Sequence, residues 1–193
     1  MAAQYSAHSI GYIGCSNTRE SVSGYHAISG NKNYLWPPYN MGGGRIDLWA
    51  DASSSYWVSF QGMVSTYGKP KAVWVQLCEN VPDAVNNYAQ VTAMLGILKS
   101  KIPTAVVYIS AINAYNPATL CPLMGALTSS GLAQGNVDTN AWALQAAIDG
   151  LAQVGPVMGP LTPQLVLTDD CHPNDAGMAL LGGQLKSFFD NDR

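Results

Sequence analysis

Two kinds of hydrophobic pattern alternate along the chain. Short, mostly apolar runs are typical of buried strands, whereas apolar residues at every third or fourth position indicate helices that bury one face. The predicted strands are Ser9 to Gly14, Ala72 to Leu77, Ala105 to Ile109 and Leu165 to Leu167. The predicted helices are Ser53 to Tyr67, one from Asp83 that stops before Pro103, one from Asp138 or Thr139, and one from about Asp175. This alternation predicts a parallel sheet covered on both faces, a three-layer α/β/α sandwich.

The same spacing predicts which side of each helix is buried. The expected faces are Trp57, Phe60, Val64 and Tyr67; Val91, Met94, Leu95 and Leu98; Leu144, Ile148 and Leu151; and Leu180, Leu181, Leu185 and Phe188. Two long segments, Asn31 to Gly44 and Asn113 to Gly135, have no such period and are expected to be irregular. Since no repeat or linker interrupts the pattern, residues 1–193 are expected to form a single domain.

Composition and charge exclude several classes of function. Hydrophobic residues make up 48% of the chain and charged residues 11%, which is a globular composition. The formal net charge is −3 and no basic run occurs, so a nucleic-acid partner is not expected. No apolar stretch is long enough for membrane insertion, and no signal peptide is visible. A polar, weakly charged surface nevertheless suits a secreted or extracellular protein.

The cysteines are widely spaced and include no CxxC pair, which argues against a zinc site. They are Cys15, Cys78, Cys121 and Cys171. Buried thiols and one or two disulfides both fit this spacing. Cys121 and Cys171 are the first pair to test, because both are expected in loops near the functional edge of the sheet.

Ligands of such sheets bind beyond the carboxyl ends of the strands, and two loops there carry candidate chemistry. Gly14-Cys15-Ser16 places a serine hydroxyl at a strand-to-helix turn, where it is either a nucleophile or a helix cap. Asn80, after the second strand, is either an uncharged donor to an oxyanion or the cap of the next segment.

A further loop after the last predicted strand supplies a candidate base, His172. A serine hydroxyl needs a neutral imidazole to take its proton, and a nearby carboxylate can orient that ring. Asp169, three residues earlier, is the expected orienter, and Asp170 is the alternative. The other histidines, His8 and His26, have no comparable acidic neighbour.

Together these loops resemble the SGNH hydrolases, also called GDSL esterases and lipases, over almost the whole chain. Gly14-Cys15-Ser16 is similar to the family's Gly-Asp-Ser block, with cysteine in place of aspartate. Cys78-Glu79-Asn80-Val81 is similar to its Gly-x-Asn-Asp block and differs at the first and last positions. Asp169 to Pro173 matches Asp-x-x-His-Pro without a change, and Gly44 is the candidate for the glycine of the second block.

The resemblance implies a flavodoxin-like fold and a serine esterase that requires no metal or organic cofactor. Ser16 would be the nucleophile, His172 the base and Asp169 the residue that orients the base. The N–H groups of Ser16 and Gly44 and the side chain of Asn80 would form the oxyanion hole.

The expected substrate is a short acyl ester, most simply an acetyl ester of a small molecule or a saccharide. Aromatic residues near the second block either stack on sugar rings or pack within loops; they are Tyr25, Tyr34, Trp36 and Tyr39. One alternative is a non-catalytic module that binds a glycan or an acyl ligand. Another is a flavodoxin-like nucleotide binder, although no Gly-rich phosphate loop follows the first strand.

Overall fold

The computed structural model describes residues 5–82, 86–116 and 121–191, and its centre is a parallel four-stranded sheet. The strands, in spatial as well as chain order, are β1 Ile10–Ile13, β2 Ala72–Gln76, β3 Val106–Ser110 and β4 Gln153–Val154. Every residue of β1 and β2 is buried, as expected for strands that are covered on both faces. The predicted parallel sheet is therefore confirmed.

The chain also pairs with the free side of β1, through the segment around Leu35. The Ile10 N–H donates to the Tyr34 carbonyl, and the Trp36 N–H donates to the Ile10 carbonyl, both at 2.9 Å. The segment around Leu35 and strand β2 therefore lie on opposite sides of β1, and the chain runs first to one side and then to the other. Such a reversal opens a crevice at the carboxyl ends of the strands, where α/β proteins bind ligands.

Helices cover both faces of the sheet, which confirms the predicted three-layer α/β/α sandwich. They are α1 Ser16–Ile28, α2 Ile46–Trp49, α3 Ser55–Tyr67, α4 Tyr88–Lys101, α5 Gln134–Ile148 and α6 Asp175–Phe189. On one face α1 packs against α6, and on the other α4 contacts α2 and α5. None of the described helices combines the length and apolar character needed to cross a membrane.

Glycines bring α1 and α6 close together. A Cβ atom on Gly24 would collide with the backbone of Met178, and one on Gly182 would collide with the backbone of Gly24. This contact holds α1 close against α6, and these are the helices that follow the Ser16 and His172 loops.

The prediction of a strand from Leu165 to Leu167 is wrong. Pro163–Leu165 forms a 3₁₀ turn instead, and Val166 makes a single antiparallel bridge to Pro173. The fourth strand is Gln153–Val154, whose two residues are both exposed, so no apolar run marked it in the sequence.

The start and the buried face of α5 also differ from the prediction. The helix begins at Gln134 rather than at Asp138 or Thr139, and the expected residues Leu144, Ile148 and Leu151 are exposed, Ile148 by 78%. Small residues are buried in their place; they are Gly135, Thr139, Ala143 and Ala146. Small side chains let the helix lie close to its neighbours, and the longer ones then remain outside.

The other helices follow their predicted patterns more closely. The expected face of α4 is buried, as are Trp57 and Phe60 of α3. The N-cap of α4 is Asn87, whose side chain accepts from the Gln90 N–H; the predicted cap, Asp83, lies outside the described residues. In α6, Leu181 and Leu185 are buried, whereas Leu180 is partly exposed.

Candidate active site

Ser16 is the first residue of α1 and lies three residues after the end of β1. Its Oγ lies 2.9 Å from Nε2 of His172. The backbone N–H groups in the first turn of a helix have no acceptor within the helix, so this position carries partial positive charge. The hydroxyl therefore sits at a point where the backbone favours a developing negative charge.

The loop that carries His172 is closed on itself. The Leu167 N–H donates to the His172 carbonyl at 2.8 Å. Asp169 Oδ1 accepts from the N–H groups of Cys171 and His172, both at 3.0 Å, and Asp169 Oδ2 lies 2.5 Å from His172 Nδ1. These contacts fix the carboxylate against the ring.

Asp170, the alternative orienter, is turned away from this arrangement. Its φ is 58°, a left-handed conformation that aspartate tolerates better than most residues. In the described part of the chain its side chain makes no hydrogen bond to His172. The structure thus brings Asp169, and not Asp170, to the ring.

The electrostatics of Asp169 favour its charged form. Partial burial raises the pKa of this carboxyl, but the His172 ring and the two backbone N–H donors outweigh burial and hold the pKa at about 2. A charged Asp169 keeps a proton on Nδ1 of His172, which leaves Nε2 as an acceptor toward Ser16.

The loop after β2 brings Asn80 to the same cavity as Ser16 and His172. Gly44 was expected to supply a backbone N–H donor to this cavity. The Gly44 N–H donates to the Met41 carbonyl at 3.0 Å, so it is already engaged within its loop. It is Gly43, with φ 74°, that lines the cavity. Gly44 must still be glycine, because a Cβ there would collide with the Gly14 carbonyl.

Two disulfides join the loops around the cavity. Cys15–Cys78 ties the Ser16 loop to the Asn80 loop, and Cys121–Cys171 ties the residue before a short 3₁₀ turn to the His172 loop. From the sequence, Cys121 and Cys171 were the first pair to test. Whether Cys15 and Cys78 form a disulfide was left open, although each lies two residues after the end of one of the adjacent parallel strands β1 and β2.

Buried amides support the Ser16 loop from below. The Thr18 hydroxyl donates to Gln76 Oε1 at 2.8 Å, and Gln76 Nε2 donates to Asn113 Oδ1 at 2.8 Å. Asn113 Nδ2 in turn donates to Asn17 Oδ1 at 3.1 Å. This network joins the ends of β1, β2 and β3 directly behind the serine, and satisfied buried networks of this kind rigidify their surroundings.

Glu79 is a buried acid beside the site, and no role was predicted for its side chain from the sequence. It is 8% exposed and neighbours Asn80. Burial, and then the charge of Asp138, raises the pKa of Glu79 to about 7. The signal available in the sequence was its place in an apolar context, between the buried strand β2 and Val81.

The cavity at Ser16 has a volume of about 100 Å³. The aromatic residues for which stacking on sugars and loop packing were both considered do not line it: Tyr25, Tyr34 and Trp36 are buried in the core. The hydroxyl of Tyr39 donates to the Tyr12 carbonyl at 2.5 Å. Loop packing is therefore the role of these residues. Within residues 5–82, 86–116 and 121–191, no cluster of three or more His, Cys, Asp or Glu side chains could hold a metal ion.

Comparison with known proteins identifies structures of the same fold but no matching sequence family. No family model matches this sequence, and no curated protein matches it either. The structure is similar to that of LAE5, an alpha/beta hydrolase enzyme from the metagenome of Lake Arreo, Spain, with a TM-score of 0.60 and 15% identity over 95% of both chains.

It is also similar to the periplasmic domain of the lipopolysaccharide acetyltransferase of Salmonella ser. Paratyphi A. That match has a TM-score of 0.56 and 10% identity over 96% of this chain and 84% of the other. At these identities the likeness establishes the fold, which these two proteins share with the present chain over nearly its whole length.

Proposed function

We propose that this protein is a serine esterase of the SGNH type that hydrolyses short acyl esters. The observation that carries the proposal is the continuous chain from Ser16 Oγ to His172 Nε2 at 2.9 Å and from His172 Nδ1 to Asp169 Oδ2 at 2.5 Å. Nucleophile, base and orienting carboxylate in this order are the arrangement that activates a serine.

In the proposed reaction, Ser16 Oγ bonds to the ester carbonyl carbon while His172 Nε2 takes the hydroxyl proton. The tetrahedral intermediate collapses, the bond to the alcohol oxygen breaks, and His172 returns the proton to that oxygen. Water, deprotonated by His172, then attacks the acyl-serine and releases the acid and the free serine. Asp169 stabilises the imidazolium in both halves of the cycle.

The proposed oxyanion donors are the N–H of Ser16, the side chain of Asn80 and the N–H of Gly43. Gly43 takes the place first assigned to Gly44, because the N–H of Gly44 already donates to Met41. Removal of a single oxyanion donor costs on the order of 3 kcal/mol in other hydrolases. Asn80→Ala is therefore expected to lower kcat at least 100-fold.

The small cavity supports a short acyl group, with acetyl as the simplest case. A volume of about 100 Å³ accommodates a few non-hydrogen atoms, about the size of an acetyl group. The two structures of the same fold come from a hydrolase and from an acetyltransferase, and both names are in keeping with acyl chemistry. We infer a small-molecule or saccharide ester as the substrate.

The test is hydrolysis of p-nitrophenyl acetate by the wild type, Ser16→Ala and a matched control, Ser23→Ala. Ser23 lies on the same helix, and its hydroxyl donates to the Arg19 carbonyl, away from His172. We expect Ser16→Ala to lose at least 10³-fold in kcat and Ser23→Ala to retain it. Equal turnover by wild type and Ser16→Ala would contradict the proposal.

A second experiment locates the nucleophile without relying on a chosen substrate. A fluorophosphonate probe followed by peptide mapping is expected to label Ser16 and to fail on Ser16→Ala and His172→Ala. Saturable binding of acetylated saccharides with no labelling and no turnover would favour the binding module. An acylated sugar formed from p-nitrophenyl acetate would assign the acyl group to an alcohol acceptor rather than to water.

A further inference from the structure

The cavity at Ser16 is lined by apolar as well as polar side chains. Ser16 and His172 are polar groups of the proposed reaction, and Ile112, Leu123 and Met124 add apolar side chains to the same walls. A bound ester offers three groups to these walls: its carbonyl oxygen, its alcohol and its acyl chain. Which of the three meets the apolar residues decides what those residues select.

The proposed reaction, on which this inference rests, already assigns two of these three groups. The carbonyl oxygen must face the donors of the oxyanion hole, among them Asn80. The alcohol oxygen must come within reach of Nε2 of His172, because that atom returns the proton to it. The acyl chain is the group that remains, and apolar side chains are the contacts that favour its burial.

The 3₁₀ turn Pro122–Met124, which carries Leu123, is held beside the Asn80 loop. The Val81 N–H donates to the Leu123 carbonyl at 2.9 Å, and Val81 directly follows Asn80. Gly125 comes directly after the turn with a φ of 73°, and a Cβ added there would lie 2.9 Å from Cγ1 of Val81. These contacts hold the backbone of Leu123 next to the loop of a proposed oxyanion donor.

The turn is also anchored at its start and through Met124. Cys121, directly before the turn, is disulfide-bonded to Cys171, which directly precedes His172. Met124 is buried, and a Cβ added to Gly135 of α5 would lie 2.5 Å from the Met124 Cε atom. The backbone at Leu123 is thus fixed by contacts that do not involve the Leu123 side chain, so substitution of that side chain is expected to leave the turn in place.

Leu123 differs from the other two apolar residues in its exposure. Ile112 and Met124 are buried, whereas Leu123 is 42% exposed. A half-exposed side chain that lines a cavity lies at its edge, where the cavity meets solvent. Substitutions at such positions usually cost little stability, so the effect of Leu123 on substrate choice is measurable in folded protein.

We propose that Leu123 is a specificity-determining residue, whose side chain closes the acyl end of the cavity and limits the acyl group to acetyl or a similarly short chain. The volume of about 100 Å³ accommodates an acetyl group beside Ser16, and the further carbons of a longer chain would meet Leu123. Leu123→Ala removes the side chain beyond Cβ from this wall. The space that it opens is sufficient for the two additional carbons of a butyryl group.

The test is the ratio of kcat/KM for p-nitrophenyl acetate to that for p-nitrophenyl butyrate. We expect this ratio to fall by about 10-fold or more in Leu123→Ala, the usual effect of a methylene that a hydrophobic pocket does or does not admit. Leu123→Met, which keeps a long apolar side chain, is expected to stay close to the wild-type ratio. The matched control is Leu127→Ala: Leu127 is 44% exposed, does not line the cavity, and should keep the wild-type ratio.

A second comparison keeps the acyl group constant and varies the alcohol. The ratio of kcat/KM for 1-naphthyl acetate to that for p-nitrophenyl acetate is expected to be the same in wild type and Leu123→Ala. An unchanged acetate-to-butyrate ratio, or a change in the alcohol ratio alone, would overturn the assignment of Leu123 and leave the proposed esterase intact. A wild type that hydrolyses none of these esters would instead overturn both.

Discussion

At the scale of single residues, Asp169 and Asp170 are adjacent and carry the same side chain. A comparison of their Asn variants therefore isolates the effect of the carboxylate that contacts His172. Asp169→Asn is expected to lower kcat about 10³- to 10⁴-fold, because an amide favours the wrong tautomer of the ring. Asp170→Asn, at a left-handed position that asparagine tolerates, is expected to stay within a few-fold of wild type. Steady-state kinetics on p-nitrophenyl acetate measures both; equal losses would contradict the assignment.

The lowered pKa of Asp169 also predicts a stability signature. Its folded pKa of about 2 lies below the unfolded value near 3.9, so its contribution is present above the unfolded pKa and is lost as pH falls toward 2. The difference in unfolding free energy between wild type and Asp169→Asn is expected to shrink as pH falls from about 4 to about 2. Urea denaturation across this range checks it.

The pKa of Glu79 is shifted in the opposite direction, upward, and so has the opposite effect on stability. Its folded pKa of about 7 lies above its ordinary value of 4.5, so the folded state loses stability as pH rises from about 4.5 to 7. Glu79→Gln removes this titration. The variant is expected to unfold with a free energy up to about 3 kcal/mol larger than wild type at pH 8, and with little difference at pH 4. A pH-independent difference would show that Glu79 acts through packing instead.

At the scale of elements, the contact between α1 and α6 is tested by two adjacent glycines. A Cβ at Gly182 would meet the backbone of Gly24, whereas a Cβ at Gly183 meets nothing within 4 Å. Gly182→Ala is expected to destabilise the fold by about 1–3 kcal/mol, and Gly183→Ala to stabilise it by about 0.5–1 kcal/mol through helix propensity. Thermal unfolding distinguishes them, and a stable Gly182→Ala would contradict the close approach.

The elements also show what could be predicted from the sequence. Strands β1 to β3 and the buried face of α4 were predicted because bulky apolar residues mark them. The face of α5 was not, because its contacts use small residues, while Leu144 and Ile148 are exposed on its outer side. The two-residue strand β4 has no apolar pattern at all.

In the candidate site, residues marked by side-chain chemistry were easier to propose from sequence than those marked only by backbone geometry. Ser16, His172 and Asp169 were proposed because their chemistry and spacing mark them, and the structure brings them into one hydrogen-bonded chain. Gly43 was not distinguished from Gly44, since the direction of a backbone N–H in a glycine-rich loop depends on long-range packing. Here that packing is against the Gly14 carbonyl.

At the scale of the whole molecule, the disulfides Cys15–Cys78 and Cys121–Cys171 close loops with sequence separations of 63 and 50 residues. Chain entropy predicts about 4 kcal/mol of stabilisation from each. Replacing either pair with serines is therefore expected to lower the unfolding free energy by about 2–5 kcal/mol, and reductant, which opens both bonds, is expected to lower it by about the sum of the two losses. Guanidinium titration measures it; unchanged midpoints would contradict the pairing. Two such bonds also favour an oxidising compartment.

The two disulfides have a topological consequence. Their loops do not overlap along the chain, so the protein consists of two successive covalent rings joined only by the stretch between Cys78 and Cys121. A protease cut inside either ring leaves one covalent molecule, whereas a cut in the connecting stretch releases two. One fragment then holds Ser16 and the other holds His172 and Asp169. Limited digestion on a non-reducing gel would distinguish nicks that keep these three residues on one molecule from nicks that separate them.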